Sequence, residues 1–89
     1  MTHDTFIDEK IKVWAFFDDT PSKGTTIFPL AISWRRRLIK IERLVFASSR
    51  RDGLTKVVDL VCTGEGANYV LEYNTDTYNW KLKKVTGKE

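Results

Sequence analysis

The chain has 89 residues, 42% of them apolar and 30% charged, with a net charge of +3. That is the composition of one small globular domain, expected to span residues 1–89, and it argues against a disordered chain. A single cysteine, Cys62, excludes an intrachain disulfide framework and favours a reducing compartment. The longest uncharged stretch, Gly24 to Trp34, contains Pro29 and is far short of the ~20 residues that span a bilayer as a helix. The start "MTHDTFIDEK" lacks a basic segment followed by an apolar block. A cytoplasmic protein with no membrane partner is the expectation.

The first element alternates. Ile11, Val13, Ala15 and Phe17 share one face, and Lys10, Lys12, Trp14 and Phe16 share the other, which is the period of a strand. A loop is expected in "DDTPSKGTT" (18–26), where Asp, Pro and Gly favour turns. Phe28, Leu30, Ile32 and Trp34 then form an apolar face from which Pro29 points away, so this strand is expected at an edge.

The next stretch, "WRRRLIKIERLVF" (34–46), reads two ways. As a strand, Ile39 and Ile41 face inward and the phase slips near Arg43, as a bulge would allow. As a helix, Trp34, Leu38, Ile41 and Val45 form one stripe, with Arg36, Arg37, Lys40 and Arg43 opposite. Further loops are expected at "SSRRDG" (48–53), "GEG" (64–66) and "NTDT" (74–77). Short runs rich in Val, Ile, Tyr and Trp separated by turns at 8–12 residue intervals point to an all-β meander.

The final hairpins carry the fold prediction. Folding about "NTDT" sets Tyr73 opposite Tyr78, Leu71 opposite Trp80 and Tyr69 opposite Leu82, all on one face. A type II′ turn at Gly64-Glu65 sets Leu60 opposite Tyr69 and Val58 opposite Leu71, extending the same face. The expected fold is all-β, with about six antiparallel strands in a curled meander or small, partly open barrel. The alternative is an α+β fold with one helix near residues 35–46.

Charge is uneven. Residues 35–56 hold eight Lys/Arg against two acids, while residues 1–34 and 57–89 are each slightly acidic. A basic block of this kind marks either a solvated face or a surface for nucleic acid or an acidic partner.

The stretches "FPLAISWRRRLIKIERL", "KVVDLV" and "GANYVLEYNTDTYNWKLKKV" together resemble a small uncharacterised bacterial domain family. Its pattern is a Pro, an apolar strand ending in Trp-Arg-Gly-Arg, then an apolar strand and a variable loop. It ends in Gly-x-x-Tyr-x-Leu-Tyr, a polar turn and Trp-x-Leu-x-x-Val. Pro29, Trp34, Arg35, Arg37, Gly66, Tyr69, Leu71, Tyr73, Trp80, Leu82 and Val85 fall in step, and the match covers about two-thirds of the chain. The family occurs alone and as the C-terminal piece of a DNA-polymerase-Y-like mutasome accessory protein. The resemblance implies an all-β domain with no known activity, beside a DNA-repair partner, and favours the strand over the helix at 34–46. One position departs: Arg36 stands where the family has Gly. A two-residue hairpin turn often needs positive φ there, which costs Arg on the order of 1 kcal/mol.

Chemistry is sparse. His3 lies in a polar terminal segment. Cys62 continues the apolar face of Val58 and Leu60 and reads as a small buried hydrophobe. Asp18-Asp19 opens a loop without an adjacent third ligand, and Asp59 is expected to face outward by alternation. No metal or cofactor is implied, and the expectation is a non-enzymatic binding module. Its partner would be nucleic acid or a DNA-repair protein, with homo-oligomerisation as the alternative. The candidate nucleic-acid-binding residues are Arg35, Arg36, Arg37, Lys10, Lys12 and Trp14, because cations meet phosphates and rings stack on bases. The competing expectation is that a curled sheet covers Trp14 and Phe16.

Overall fold

The structure, a computed structural model, describes the backbone of residues 2–20 and 24–88 and the side chains of residues 5–18 and 26–87. It is all-β. Seven antiparallel strands follow in order: β1 (Thr2–Thr20), β2 (Gly24–Trp34), β3 (Arg37–Lys40), β4 (Arg43–Asp52), β5 (Thr55–Gly64), β6 (Ala67–Asn74) and β7 (Asn79–Lys88). Their lateral order is β3-β2-β1-β7-β6-β5-β4. The outermost strands, β3 and β4, are joined only through Ile41 and Glu42, so the sheet curls back on itself into a half-barrel. At this corner the Ile41 N–H donates to the Leu30 carbonyl (2.9 Å) and the Glu42 N–H to the Thr63 carbonyl (2.7 Å).

Residues 37–46 are therefore strands with a corner, and the helical alternative at 35–46 is wrong. The phase slip near Arg43 is real. The chain leaves the ladder at 41–42, and β4 carries a bulge between Leu44 and Phe46. Gly64 lies under the corner, where an added Cβ would run into the Lys40 carbonyl oxygen. Glycine is required there for that close approach and not for a turn.

Long β1 divides its partners. Its N-terminal half pairs with β7, and residues from Lys12 onward pair with β2. Side chains of alternate residues fill the concave side. Ile32, Ile39, Leu60, Cys62, Leu71 and Leu82 are fully buried, with Ile27, Tyr69 and Tyr73 beside them.

The expected face holds apart from Tyr78, which stands exposed in the loop, and the expected registers do not hold. The last hairpin pairs Tyr73 with Trp80 and Leu71 with Leu82, and Tyr69 meets Val85 beyond a bulge. Its loop runs through Tyr78, which has φ of 60°, so the turn is not confined to "NTDT". The Asn74 side chain closes this loop by accepting from the Asp76 and Thr77 N–H groups at 2.9 and 3.1 Å. The preceding hairpin turns at Glu65-Gly66, with φ of 49° and 81°, as a type I′ turn demands. Leu60 therefore faces Leu71, and Val58 faces Tyr73. Each register moves by an even number of residues until the bulge, and even slips leave every side chain on its face. The type II′ pattern occurs instead at Gly53-Leu54, where only the glycine has positive φ.

Two further expectations are corrected. Phe28, Leu30, Ile32 and Trp34 do not share a face. A bulge at Leu30, opposite Trp14 and Ala15, turns Ile27 and Pro29 inward with Ile32 and leaves Phe28 and Leu30 exposed. Ser48 to Asp52 are not a loop but the end of β4.

Candidate functional site: the outer face of β1, β2 and β3

The arginine tip comes first. Trp34 pairs with Arg37, so Arg35 and Arg36 form the two-residue turn, with φ of 50° and 65°. Two non-glycine residues in the left-handed region cost about 1–2 kcal/mol each. Glu9 offsets part of this. It accepts from Trp34 Nε1 (2.8 Å) and from Arg35 Nη2 (2.8 Å), and the Arg35 guanidinium lies 4.7 Å from the centre of the Trp34 ring. The hydrogen bond from Arg35, then that from Trp34, holds the Glu9 carboxyl below its ordinary range. Arg37 turns the other way and meets Glu65 at 3.2 Å. Glu65 also accepts from the Lys40 N–H at 3.4 Å, which ties the two I′ turns together.

The basic block is therefore not one patch. Arg35 and Arg37 are committed to carboxylates at one end of the half-barrel. Arg50, on β4, is held by Asp59 (2.8 Å) and Glu72 (3.5 Å). Asp59 faces outward as alternation requires, with that arginine as its partner. Arg36 pairs with no described residue.

The second constellation survives better. Lys10, Lys12, Trp14 and Phe16 all lie on the convex side of β1, and the half-barrel does not cover the rings: Trp14 is 52% and Phe16 55% exposed. A concave core cannot shield the convex side of its own sheet, which is why the expected cover is missing. Register brings more residues to this face. Phe16 faces Phe28, with ring centres 6.5 Å apart. Trp14 faces Ala31, which in turn faces Lys40 on β3. Lys12 faces Ser33, which faces Leu38. Exposed Leu30 bulges between these rows. The small side chains Ala31 and Ser33 leave a shallow floor between Trp14 and Lys12 on one side and Lys40 and Leu38 on the other.

Lys10, Lys12 and Lys40 form no ion pair with a described residue. Asp18 and Asp8 stand at the two ends of this stretch of β1, with Asp8 taken up by Lys83 at 2.8 Å, and Glu65 reaches the Lys40 N–H at the outer edge of β3. Of the residues expected to bind, the structure thus groups Lys10, Lys12 and Trp14, sets Arg36 beside the tip, and diverts Arg35 and Arg37. The sequence reading missed Phe28, Leu30, Leu38 and Glu9, and placed Lys40 with the arginines. Phe28, Leu30, Leu38 and Lys40 join the face only through the β1–β2–β3 register. Glu9 is brought to Trp34 and Arg35 by a contact 25 residues away in the chain.

Cys62 is free and buried. Burial pushes its thiol up to about 12, and its Sγ lies 3.7 Å from the Tyr69 carbonyl oxygen, so it sits in the core. Among the described residues no three His, Cys, Asp or Glu side chains gather to hold a metal. Among them, too, no helix is long and apolar enough to cross a membrane. The side chains of His3 and Asp19 lie outside the described residues. No family model, curated protein or solved structure matches this chain.

Proposed function

We propose that this domain is a non-enzymatic binding module that takes single-stranded nucleic acid across the outer face of β1, β2 and β3. One observation carries the reading. Three exposed rings, Trp14, Phe16 and Phe28, stand beside three lysines without ion pairs, Lys10, Lys12 and Lys40, on a face without a described carboxylate between them. Bases stack on rings whatever their sequence, and lysines track the phosphates. Arg36 extends the positive track past the hairpin tip. The implied recognition is tolerant of sequence, because the face offers few fixed hydrogen-bonding groups. The resemblance to a domain attached to a mutagenic-repair accessory protein suits such a strand-holding role beside a DNA-repair partner in the cytoplasm.

Self-association through the same rings is the rival. A twofold contact across this face would press Lys10, Lys12 and Lys40 toward their own copies, and like charges so placed oppose it.

Titration of Trp fluorescence and amide shifts with a short oligothymidylate at low salt tests the reading. Binding should perturb residues 10–16, 28–33 and 38–40. The affinity should fall with salt at a log–log slope of about −2 to −3, roughly 0.7 per phosphate neutralised. Lys12→Gln with Lys40→Gln should flatten that slope, and Trp14→Ala should weaken binding about tenfold or more. Absence of any shift at low salt would remove the reading. A mass that rises with concentration and falls with Trp14→Ala would replace it with self-association.

A further inference from the structure

On the opposite side of the half-barrel the ladder is incomplete. β3 pairs with β2 only from Ala31 to Trp34, so β2 from Gly24 to Pro29 has β1 alone as partner. β4 has β5 alone. The two unpaired edges flank a groove of about 700 Å³, a size typical of ligand sites. Its floor is Phe17, Ile27, Val58, Leu60 and Tyr73, and its β4 wall is Ala47, Ser48 and Ser49.

The two edges differ. Pro29 has no N–H, and the bulge at Leu30 interrupts the ladder, so β2 is a blunted edge of the kind that resists pairing. β4 runs ten residues, almost all exposed, and from Phe46 to Asp52 its register is unbroken. Its outward backbone groups form a ready template for one more strand, with the β2 side serving as an apolar wall.

Charge selects the occupant. Lys56 is the sole charged side chain lining the groove among the described residues. Arg43 and Arg51 on β4 pair with no described acid. A second copy is a poor fit, because its β4 carries Arg43, Arg50 and Arg51 against the single acid Asp52 and would bring net positive charge to an edge that already holds Arg51 opposite Lys56. An acidic strand meets the opposite condition.

We propose that β4 accepts an extended peptide by strand addition, with alternate apolar side chains entering the groove and one carboxylate on that same face meeting Lys56 and Arg51, which lie opposite each other on β5 and β4. This site is separate from the face of β1, β2 and β3 and does not depend on it.

The probe is a capped octapeptide whose groove-facing positions are Glu, Val, Val and Val in turn, alternating with Thr. Its addition should slow amide hydrogen exchange in residues 44–51 and shift Phe17, Ile27 and Tyr73, leaving Trp14 and Lys12 unmoved. Two N-methylated versions, one at every groove-facing residue and one at every Thr, separate pairing from simple groove filling. Added strands direct alternate N–H groups to the host edge, so one version should bind about tenfold more weakly and the other almost normally. Lys56→Glu should weaken this peptide and favour the version with Lys in place of its groove-facing Glu. Unchanged exchange in β4, equal binding of both methylated versions, or shifts confined to the outer face of β1, β2 and β3 would each overturn the proposal. So would a dimer whose formation protects β4 without peptide.

Discussion

The convex surface has two halves built on different rules. From Arg50 on β4 across β5 to β7 and the start of β1, charges on this side are matched. Arg50 reaches Asp59 and Glu72, and Glu72 also meets Lys83 at 3.4 Å. Lys83 and Lys81 share Asp8, at 2.8 and 3.9 Å. Across β1, β2 and β3 the same side of the sheet carries rings, leucines and lysines without ion pairs. The core beneath is continuous, so stability cannot account for the difference. A solvated face gains little from large exposed rings, and a contiguous patch of them marks a contact surface. A charged stretch of sequence therefore says less than where each charge ends up.

The comparison can be broken or sharpened by substitution. The largest effect is expected where the two halves join. Gly64→Ala, forced against the Lys40 carbonyl, should cost about 2–4 kcal/mol in urea unfolding and loosen both halves together. A smaller gain is expected at the tip. Arg36→Gly relieves a left-handed non-glycine residue that no described partner holds, and should stabilise by about 1 kcal/mol. Next comes a matched pair of charge deletions. Lys83→Gln should cost about 0.5–1 kcal/mol, because its network includes the mostly covered Glu72, whereas Lys12→Gln should stay within about 0.3 kcal/mol. Equal costs for the two would dissolve the distinction between the halves.

The smallest effect is an acid limb. Glu9 is held below its ordinary 4.5 by Arg35 and Trp34. Its contribution is complete above that value and is lost as pH falls through the lower folded value. Glu9→Gln should reduce the loss of stability between pH 5 and 3 in parallel acid titrations, and an unchanged limb would disprove the hub at Glu9.

Much of the fold was legible because alternation survives errors of register. Tyr69, Leu71 and Tyr73 face the core whether their partners are Tyr78, Trp80 and Leu82 or Trp80, Leu82 and Val85. The β2 face failed because one bulge at Leu30 exchanges inside and outside, and nothing in "FPLAISW" marks which residue is extra. The arginines misled for a related reason. Arg35, Arg36 and Arg37 are neighbours in sequence, but a two-residue turn sends Arg35 to Glu9 and Arg37 to Glu65. Lys10, Lys12 and Trp14 were readable as a face because they lie on one unbroken stretch of one strand.

What the sequence alone determined is therefore local: an all-β chain, the turns of its last two hairpins within a residue or two, one apolar face and a buried Cys62. These depend on period-two alternation and on turn residues, both properties of a few neighbouring positions. Tertiary structure alone decided the register, the corner over Gly64, the partner of each charge, the exposure of Trp14 and Phe16, and the unpaired edge of β4. Each of those depends on residues far apart in the chain, and their meeting is set by how strongly the sheet curls.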